Sequence, residues 1–366
     1  MAMKTPKTIK IGKRTIGPGY PAYIIAEVGS NFDGSLKRAK QLAKLAKQSG
    51  ADAYKIQNFS APKIVSDKGF NTFDKISYHA KWKESVFDMF KKSEFPHEWV
   101  QELADYCKEI GIDFFSSPYD REAVDMLERV GVPAHKLGSG EIDNHEFLTY
   151  VAKTKKPIIV GVGASTMQEV GAAIKTIRKA GNEKIVILQC VTNYPSPVAD
   201  ANLKAMHSIR DTSGVLVGYS DHTIGPDGGG DDPLGGLTVP IGSIAMGGCM
   251  IEKHFTDDHT LPGPDHHLAM EPDAFAKMVE SVRAMERALG DGIKRVMPSE
   301  KQTVIIQRRG IYAMRDIAKG EKITRDMVEF LRPATGLRPA ETTKVLGKRA
   351  KSAIPAGSAL RAHDIR

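Results

Sequence analysis

Short apolar runs bounded by turn residues recur through the first 290 residues, and most are apolar at consecutive rather than alternate positions. They are YIIAEVG (23–29), ADAYKIQNF (51–59), IDFFSSP (112–118), AHKLGSGE (134–141), PIIVGVGAS (157–165), KIVILQC (184–190), VLVGYSD (215–221) and CMIEKHF (249–255). Unbroken apolar runs of this length predict strands covered on both faces, as in a parallel sheet. Between them lie segments with helical spacing, including SLKRAKQLAKLAKQSG, HEWVQELADYCKEIG, REAVDMLERVG, EFLTYVAKT, TMQEVGAAIKTIRKAG and PDAFAKMVESVRAMERALG. Several end on glycine, a helix stop. Eight such alternations predict an α/β fold closed into a (β/α)₈ TIM barrel, with a doubly wound open sheet as the alternative.

Beyond residue 290 the pattern changes. GDGIKRVMPSEKQT reads as a linker over 291–303, and the rest, 304–366, has short β-like pieces (RRGIYAMRDI, EKITRDMVEFL, AKSAIPAGSAL) broken by KG, GLRP and PAG turns. The chain therefore divides into a barrel over 1–290 and a small, mostly β domain.

Charge follows the same division. From residue 292 onward there are 17 Lys+Arg against 7 Asp+Glu, which leaves 35 against 37 before it, so the formal charge of +8 comes from the tail. The tail has no nucleic-acid recognition motif and little aromatic interleaving, so it reads as a cover for an anionic small molecule or as a solvated face. With 41% hydrophobic and 26% charged residues the chain has an ordinary globular composition. The opening MAMKTPKTIKIGKRTIGPGYPAY lacks the apolar centre of a secretory signal, and no stretch is long and apolar enough for a membrane span, which predicts a cytoplasmic protein. Cys107, Cys190 and Cys249 are widely spaced and odd in number, which predicts buried thiols rather than disulfides or a thiolate zinc site.

The chemistry gathers at the C-terminal ends of the predicted strands: Glu27; Lys55 and Gln57; Ser116 and Ser117; Lys136 to Glu141; Ser165 and Thr166; Ser220 to His222; Glu252 to His254. In a barrel these ends converge on one mouth, where the active site of this fold lies. His222 and His254 end neighbouring strands and predict a divalent-ion site with open positions. His259, His266 and His267, in the loop TDDHTLPGPDHH, are weaker candidates. Lys55, Lys136 and Lys253 predict a substrate bearing carboxylate or phosphate, because a lysine near the end of an apolar strand is costly without an anion. Ser139, Ser165, Thr166, Thr192 and Ser220 would add hydroxyl donors. There is no G-x-x-x-x-G-K-[ST] loop, and GVGAS is too weak for a dinucleotide site. A strand-end lysine also permits Schiff-base chemistry, although a lysine among cations and an anionic ligand stays protonated. The Gly- and Asp-rich GPDGGGDDPLGG (225–236) reads as a cation-binding turn, a lid or an insertion.

The blocks AEVGSNFDGSL, YKIQNF, FFSSPYD, KLGSGEIDN, CVTNYPSP, VGYSDHTIG, IEKHFT, PGPDHH, RRGIYAMRDIAKGEKIT and LRPATGL together resemble the N-acetylneuraminate (sialic acid) synthase family over nearly the whole chain. The resemblance implies a barrel followed by an antifreeze-like (SAF) domain, in a homodimer whose swapped C-terminal domain covers the partner's site. It implies condensation of phosphoenolpyruvate with an N-acetylated hexosamine, N-acetylmannosamine or a diacetamido relative, giving a nonulosonic acid and phosphate. Carried over by matching blocks, His222 and His254 would hold a divalent metal, with manganese expected and magnesium or cobalt as alternatives. Lys55, Ser117 and Lys136 would hold the phosphoenolpyruvate carboxylate; Ser139, Thr192 or Asn193, and Ser220 would meet its phosphate. Gln57, Glu141, Tyr194 and Asp265 would address the sugar, and Arg332 of the partner chain its N-acetyl group. Glu27 and Glu252 would handle protons or water beside the lysines. A different 3-deoxy-sugar-acid synthase, a Schiff-base aldolase and a basic-tail binding module are the alternative readings.

Three departures concern the sugar more than the reaction. Phe32 stands where a histidine is usual, Gly161 stands where the family often has a phosphate-contacting serine, and the 225–236 loop is extended.

Overall fold

The computed structural model describes residues 8–70, 72 and 84–366; residues 1–7, part of the leader reading, lie outside them. The chain divides into two compact units, one ending at Gly290 and one running from Asp291 to Arg366.

The first unit opens with a small antiparallel hairpin, β1 (Ile9–Ile11) and β2 (Arg14–Ile16). Eight parallel strands follow: β3 (Tyr23–Glu27), β4 (Ala53–Asn58), β5 (Asp113–Pro118), β6 (His135–Leu137), β7 (Ile158–Gly161), β8 (Ile185–Cys190), β9 (Leu216–Asp221) and β10 (Met250–His254). Each lies inside one of the predicted apolar runs. Their lateral order is β5-β4-β3-β10-β9-β8-β7-β6, and β5 and β6 are in turn neighbours, so the sheet curls into a nearly closed TIM-like barrel.

Local signals set the helices. Ser35, Asp120 and Thr166 cap Leu36–Gln48, Arg121–Val130 and Met167–Lys179, the last with a reciprocal Thr166–Glu169 capping box. Left-handed Gly111 and Gly131 close the helices before β5 and β6. Several helices, the short Val86–Lys92 among them, escape the periodic reading, and two of them lead directly into strands. Thr238–Ala245 (TVPIGSIA) is apolar almost all round, and Ala205–Ser213 buries only Met206 and Ile209, so neither shows a long amphipathic stripe.

The hairpin was also not legible as a separate element. Gly12 sits against Asp113, the first residue of β5, and Gly17 against Leu216, the first of β9. It therefore covers the N-terminal end of the barrel, leaving the opposite mouth open for chemistry.

In the second unit β11 (Gly310–Ala313) pairs antiparallel with β12 (Val328–Leu331), and single bridges such as Ile317–Ile354 and Ala350–Ile365 close short β segments around Ile311, Ile323, Val345 and Leu360. The expected linker is not wholly irregular: Pro298–Glu300 forms a 3₁₀ turn that runs into helix Lys301–Gln307. Among the described residues no helix is long and apolar enough to cross a membrane.

Candidate active site

Successive strand residues face opposite ways, so every second residue at a strand end enters the barrel. That alternation turns Glu27, Lys55 and Gln57, Ser117, Lys136, Ser220 and His222, and Glu252 and His254 into a cavity of about 320 Å³ at the C-terminal mouth. Ser139, Thr192, Tyr194 and Asp265 from the following loops complete its predicted lining.

The floor is a buried charge network. Lys55, 1% exposed, pairs with Glu27, donates to Ser117 Oγ at 3.1 Å and lies 3.7 Å from Glu252. Lys136 reaches the same Glu252 at 3.1 Å. Gln57 donates to Glu27 at 2.7 Å, and Ser220 donates to Glu252 at 3.0 Å. Burial by itself would raise the Glu252 carboxyl, but Lys136 and Lys55 outweigh it and hold the group well below the usual carboxylate range. Burial likewise opposes charge on Lys136, and Glu252 together with Cys190 and Glu27 more than offsets it, so this ammonium is held above its ordinary value. Lys136 is thus held as a cation facing the cavity, with Lys55 beside it against Glu27. That state suits anion binding and opposes nucleophilic use.

The imidazoles stand at the next level up. Their ring centroids are 5.4 Å apart, with Tyr194 4.3 Å from His222. His222 pairs through Nδ1 with the Val191 carbonyl at 2.7 Å, which makes Nδ1 the donor and leaves the Nε2 lone pair free. Burial, then the neighbouring His254, pushes its pKa down to about 3, so the ring is neutral near pH 7. His254 has a buried Nδ1 with no hydrogen-bond partner. A neutral ring oriented by a carbonyl, beside a second ring with an orphaned nitrogen, fits a divalent ion. Among the described residues no group of three or more His, Cys, Asp or Glu is arranged to hold one, so the two imidazoles stand here as a pair.

One flank of the cavity is rich in small donors. Gly163 N donates to Ser139 Oγ at 2.9 Å and to Cys190 Sγ at 3.0 Å, and a Cβ at Gly163 would fall 2.0 Å from Thr192 Oγ1. A Cβ at Gly161 would lie 3.0 Å from Ser139 Oγ and 3.6 Å from Lys136 Nζ, so a side chain there would press on Ser139, which glycine lets approach the strand.

Some predicted residues are not brought in. Lys253 faces away from the cavity and pairs with Asp221 at 2.6 Å, because it is one residue out of phase with Glu252 and His254. Asn193 is exposed and donates to the Pro195 carbonyl, and Glu141 sits half-buried on the turn Ser139–Glu141, outside the lining. Thr166 is spent on its helix cap, and Ser165 donates to the Gly163 carbonyl. Arg332 is an exposed residue of the second unit. The weaker histidines have other partners: His259 binds Glu271, and His266, which is fully buried rather than at a loop surface, bridges Thr256 and Asp33. Phe32 is also outside the lining, buried edge-on against Phe95.

The cavity adds residues the sequence reading missed, among them Ser30, Tyr119, Cys190 and the apolar Phe59, Met89 and Phe90. Ser30 donates to Asp265 through both N and Oγ at 3.0 Å, across left-handed Gly29, where a Cβ would strike that carboxylate. Tyr119 lies two residues beyond Ser117, in the same inward phase, so period-two counting could have found it.

The profile of the NeuB family matches residues 42–294, more than half of the chain. The chain belongs to the NeuB family. A SAF domain match over residues 308–366 accounts for the second unit of this NeuB-family enzyme. The N,N'-diacetyllegionaminic acid synthase of Legionella pneumophila is 37% identical over 95% of this chain and 96% of its own length. The pseudaminic acid synthase of Helicobacter pylori is 33% identical, with coverage of 94% and 98%. Among solved structures, the N-acetylneuraminic acid synthetase of Leptospira borgpetersenii aligns with a TM-score of 0.71 at 28% identity, over 82% of this chain and 95% of that one.

Proposed function

We propose that this NeuB-family member is a nonulosonic acid synthase that joins phosphoenolpyruvate to the open-chain aldehyde of an N-acetylated hexosamine and releases phosphate. The carrying observation is the cavity itself, where two imidazoles at the mouth face two buried ammonium groups on the floor. A relationship to synthases of legionaminic, pseudaminic and neuraminic acids supports the same reading.

In this account Lys55, Ser117 and Lys136 take the phosphoenolpyruvate carboxylate, and Ser139, Thr192 and Ser220 donate to its phosphate. His222 and His254 would hold a divalent ion, which supplies Lewis-acid polarisation of an aldehyde when bound. Gln57, Tyr194 and Asp265 orient the sugar so that its carbonyl carbon meets C3 of phosphoenolpyruvate. A new C–C bond forms there, water adds at C2, and the C2–O bond to phosphate breaks to leave a 2-keto acid. Glu27 and Glu252, each against a lysine, would orient that water or handle its proton. The preorganised ammonium and hydroxyl groups favour the charge that develops on carboxylate and phosphate.

The chain would act on small sugars in a soluble setting, as a homodimer in which Arg332 of one copy reaches the N-acetyl group bound by the other. Manganese is the expected ion. The test is phosphate release from phosphoenolpyruvate with N-acetylmannosamine and with 2,4-diacetamido hexoses, each with and without Mn²⁺. Release only when an aldose and ion are both present supports the reading; release from none of the sugars with Mn²⁺-saturated protein rejects it.

A further inference from the structure

Each imidazole is preceded in the chain by a charged residue that points the other way. Asp221 precedes His222, Lys253 precedes His254, and the two are register partners between β9 and β10. Their side chains meet at 2.6 Å on the outer face of the barrel wall, both with 0% exposure. The Lys253 ammonium also donates to the Thr223 carbonyl, while Asp221 accepts from Thr223 N at 3.1 Å and Thr223 Oγ1 at 3.0 Å. His222 is therefore bracketed by two residues locked to one another and to the strand that carries His254. Neither Asp221 nor Lys253 lines the cavity.

The extended 225–236 loop closes over this pair. Gly236 has a φ of +86°, and a Cβ there would lie 3.1 Å from Lys253 Nζ and 2.9 Å from the Thr223 carbonyl. Asp232, fully buried, organises the loop end by accepting from Leu234 N, Thr238 N and Thr238 Oγ1. The loop seals an ion pair and does not present free carboxylates from Asp232.

A buried ion pair is a poor source of net stability, because desolvation offsets most of its Coulomb gain. Its directionality is another matter. Fully dry and fully bonded, it fixes the relative height of two strand ends more narrowly than apolar packing, which tolerates sliding. We propose that Asp221, Lys253 and Thr223 are positioning residues that hold β9 and β10 so that His222 and His254 address one divalent ion, with the 225–236 loop excluding water from their contact. This rests on the reading of the two imidazoles as ion ligands.

The experiment uses the full chain stripped of metal, without substrate. Free Mn²⁺ is titrated by its EPR signal, and thermal unfolding is recorded on the same samples. The native chain should bind Mn²⁺ and His222→Ala should lose it. Asp221→Asn keeps the shape and removes the charge; the double variant Lys253→Met with Asp221→Leu removes both charges together. Both should weaken Mn²⁺ binding at least tenfold, and the double variant should melt close to the native chain. A merely structural role predicts instead that Mn²⁺ affinity follows the melting temperature and returns with it in the double variant. Native affinity within twofold in either folded variant overturns the proposal. If the double variant does not fold, Asp221→Asn carries the test alone. Failure of the native chain to bind Mn²⁺, or binding that survives His222→Ala, instead overturns the ion-site reading on which the proposal stands.

Discussion

Lys136 on β6 and Glu252 on β10 meet at 3.1 Å, although their strands lie four places apart in the sheet order and so on opposite sides of the barrel. The pair spans the interior beneath the cavity. Replacing Lys136 with Met leaves Glu252 with one cation, Lys55 at 3.7 Å, beside the Ser220 hydroxyl. Removing one partner of such a pair costs about 3–5 kcal/mol, so urea unfolding should show a loss near the low end of that range, given the remaining lysine. Phosphate-release assays should show kcat/KM for phosphoenolpyruvate falling by about two orders of magnitude or more, roughly 3 kcal/mol of transition-state stabilisation.

Gly163 is held against the donor-rich flank of the cavity, where an added methyl would meet Thr192 Oγ1 and N and Cys190 Sγ. Of these atoms Thr192 N is backbone and cannot simply swing away. Gly163→Ala should lower stability by about 1–3 kcal/mol through overpacking and raise KM for phosphoenolpyruvate more than for the sugar. Thermal unfolding together with separate KM determinations checks both parts.

The eight strands were legible because runs such as PIIVGVGAS and KIVILQC are apolar at consecutive positions, which only doubly covered strands require. The site was legible because the fold sends strand ends to one mouth, and Glu27, Lys55, Lys136, His222 and His254 all lie at such ends. Phase was the weak point. Lys253 was grouped with its neighbours although a one-residue offset sends it to the other face of the wall, and Tyr119 was passed over although it shares the phase of Ser117. Asn193 and Glu141 fall outside the lining because backbone direction in a loop carries no such period. Phe59, Met89 and Phe90 come from a stretch between strands and carry no chemical signature that would mark them in advance.

The three cysteines give a prediction about accessibility. Burial pushes the thiols of Cys107 and Cys249 up to about 12, so near pH 8 both are protonated as well as enclosed. A disulfide reagent at pH 8 should leave Cys107 and Cys249 unmodified in the native chain, and mass mapping should find all three labelled after denaturation. Rapid native labelling of Cys107 would contradict the packing described for the helix Val100–Ile110.

Glu128 sits 2.7 Å from His135 Nε2 and 2.9 Å from Lys156. Partial burial alone would raise its carboxyl, but His135 and Lys156 outweigh that and leave it below the ordinary value. A carboxylate depressed by folding contributes stability that is present above its unfolded pKa, about 4.3, and is lost as pH falls through the folded value. Urea unfolding between about pH 6 and pH 3 should therefore show a shallower acid loss in Glu128→Gln than in the native chain.

In the proposed reaction one cavity brings the imidazole pair that would bind the ion and the lysine pair that would bind phosphoenolpyruvate to the same reacting carbons. The most direct test follows phosphate and product mass while native chain, Mn²⁺, phosphoenolpyruvate and a panel of N-acetylated aldoses are combined. The account predicts stoichiometric phosphate and a nine-carbon 2-keto acid with at least one aldose, both abolished by chelation or by His222→Ala. Phosphate formed without an aldose, or a product formed equally well by the His222→Ala chain, would contradict it.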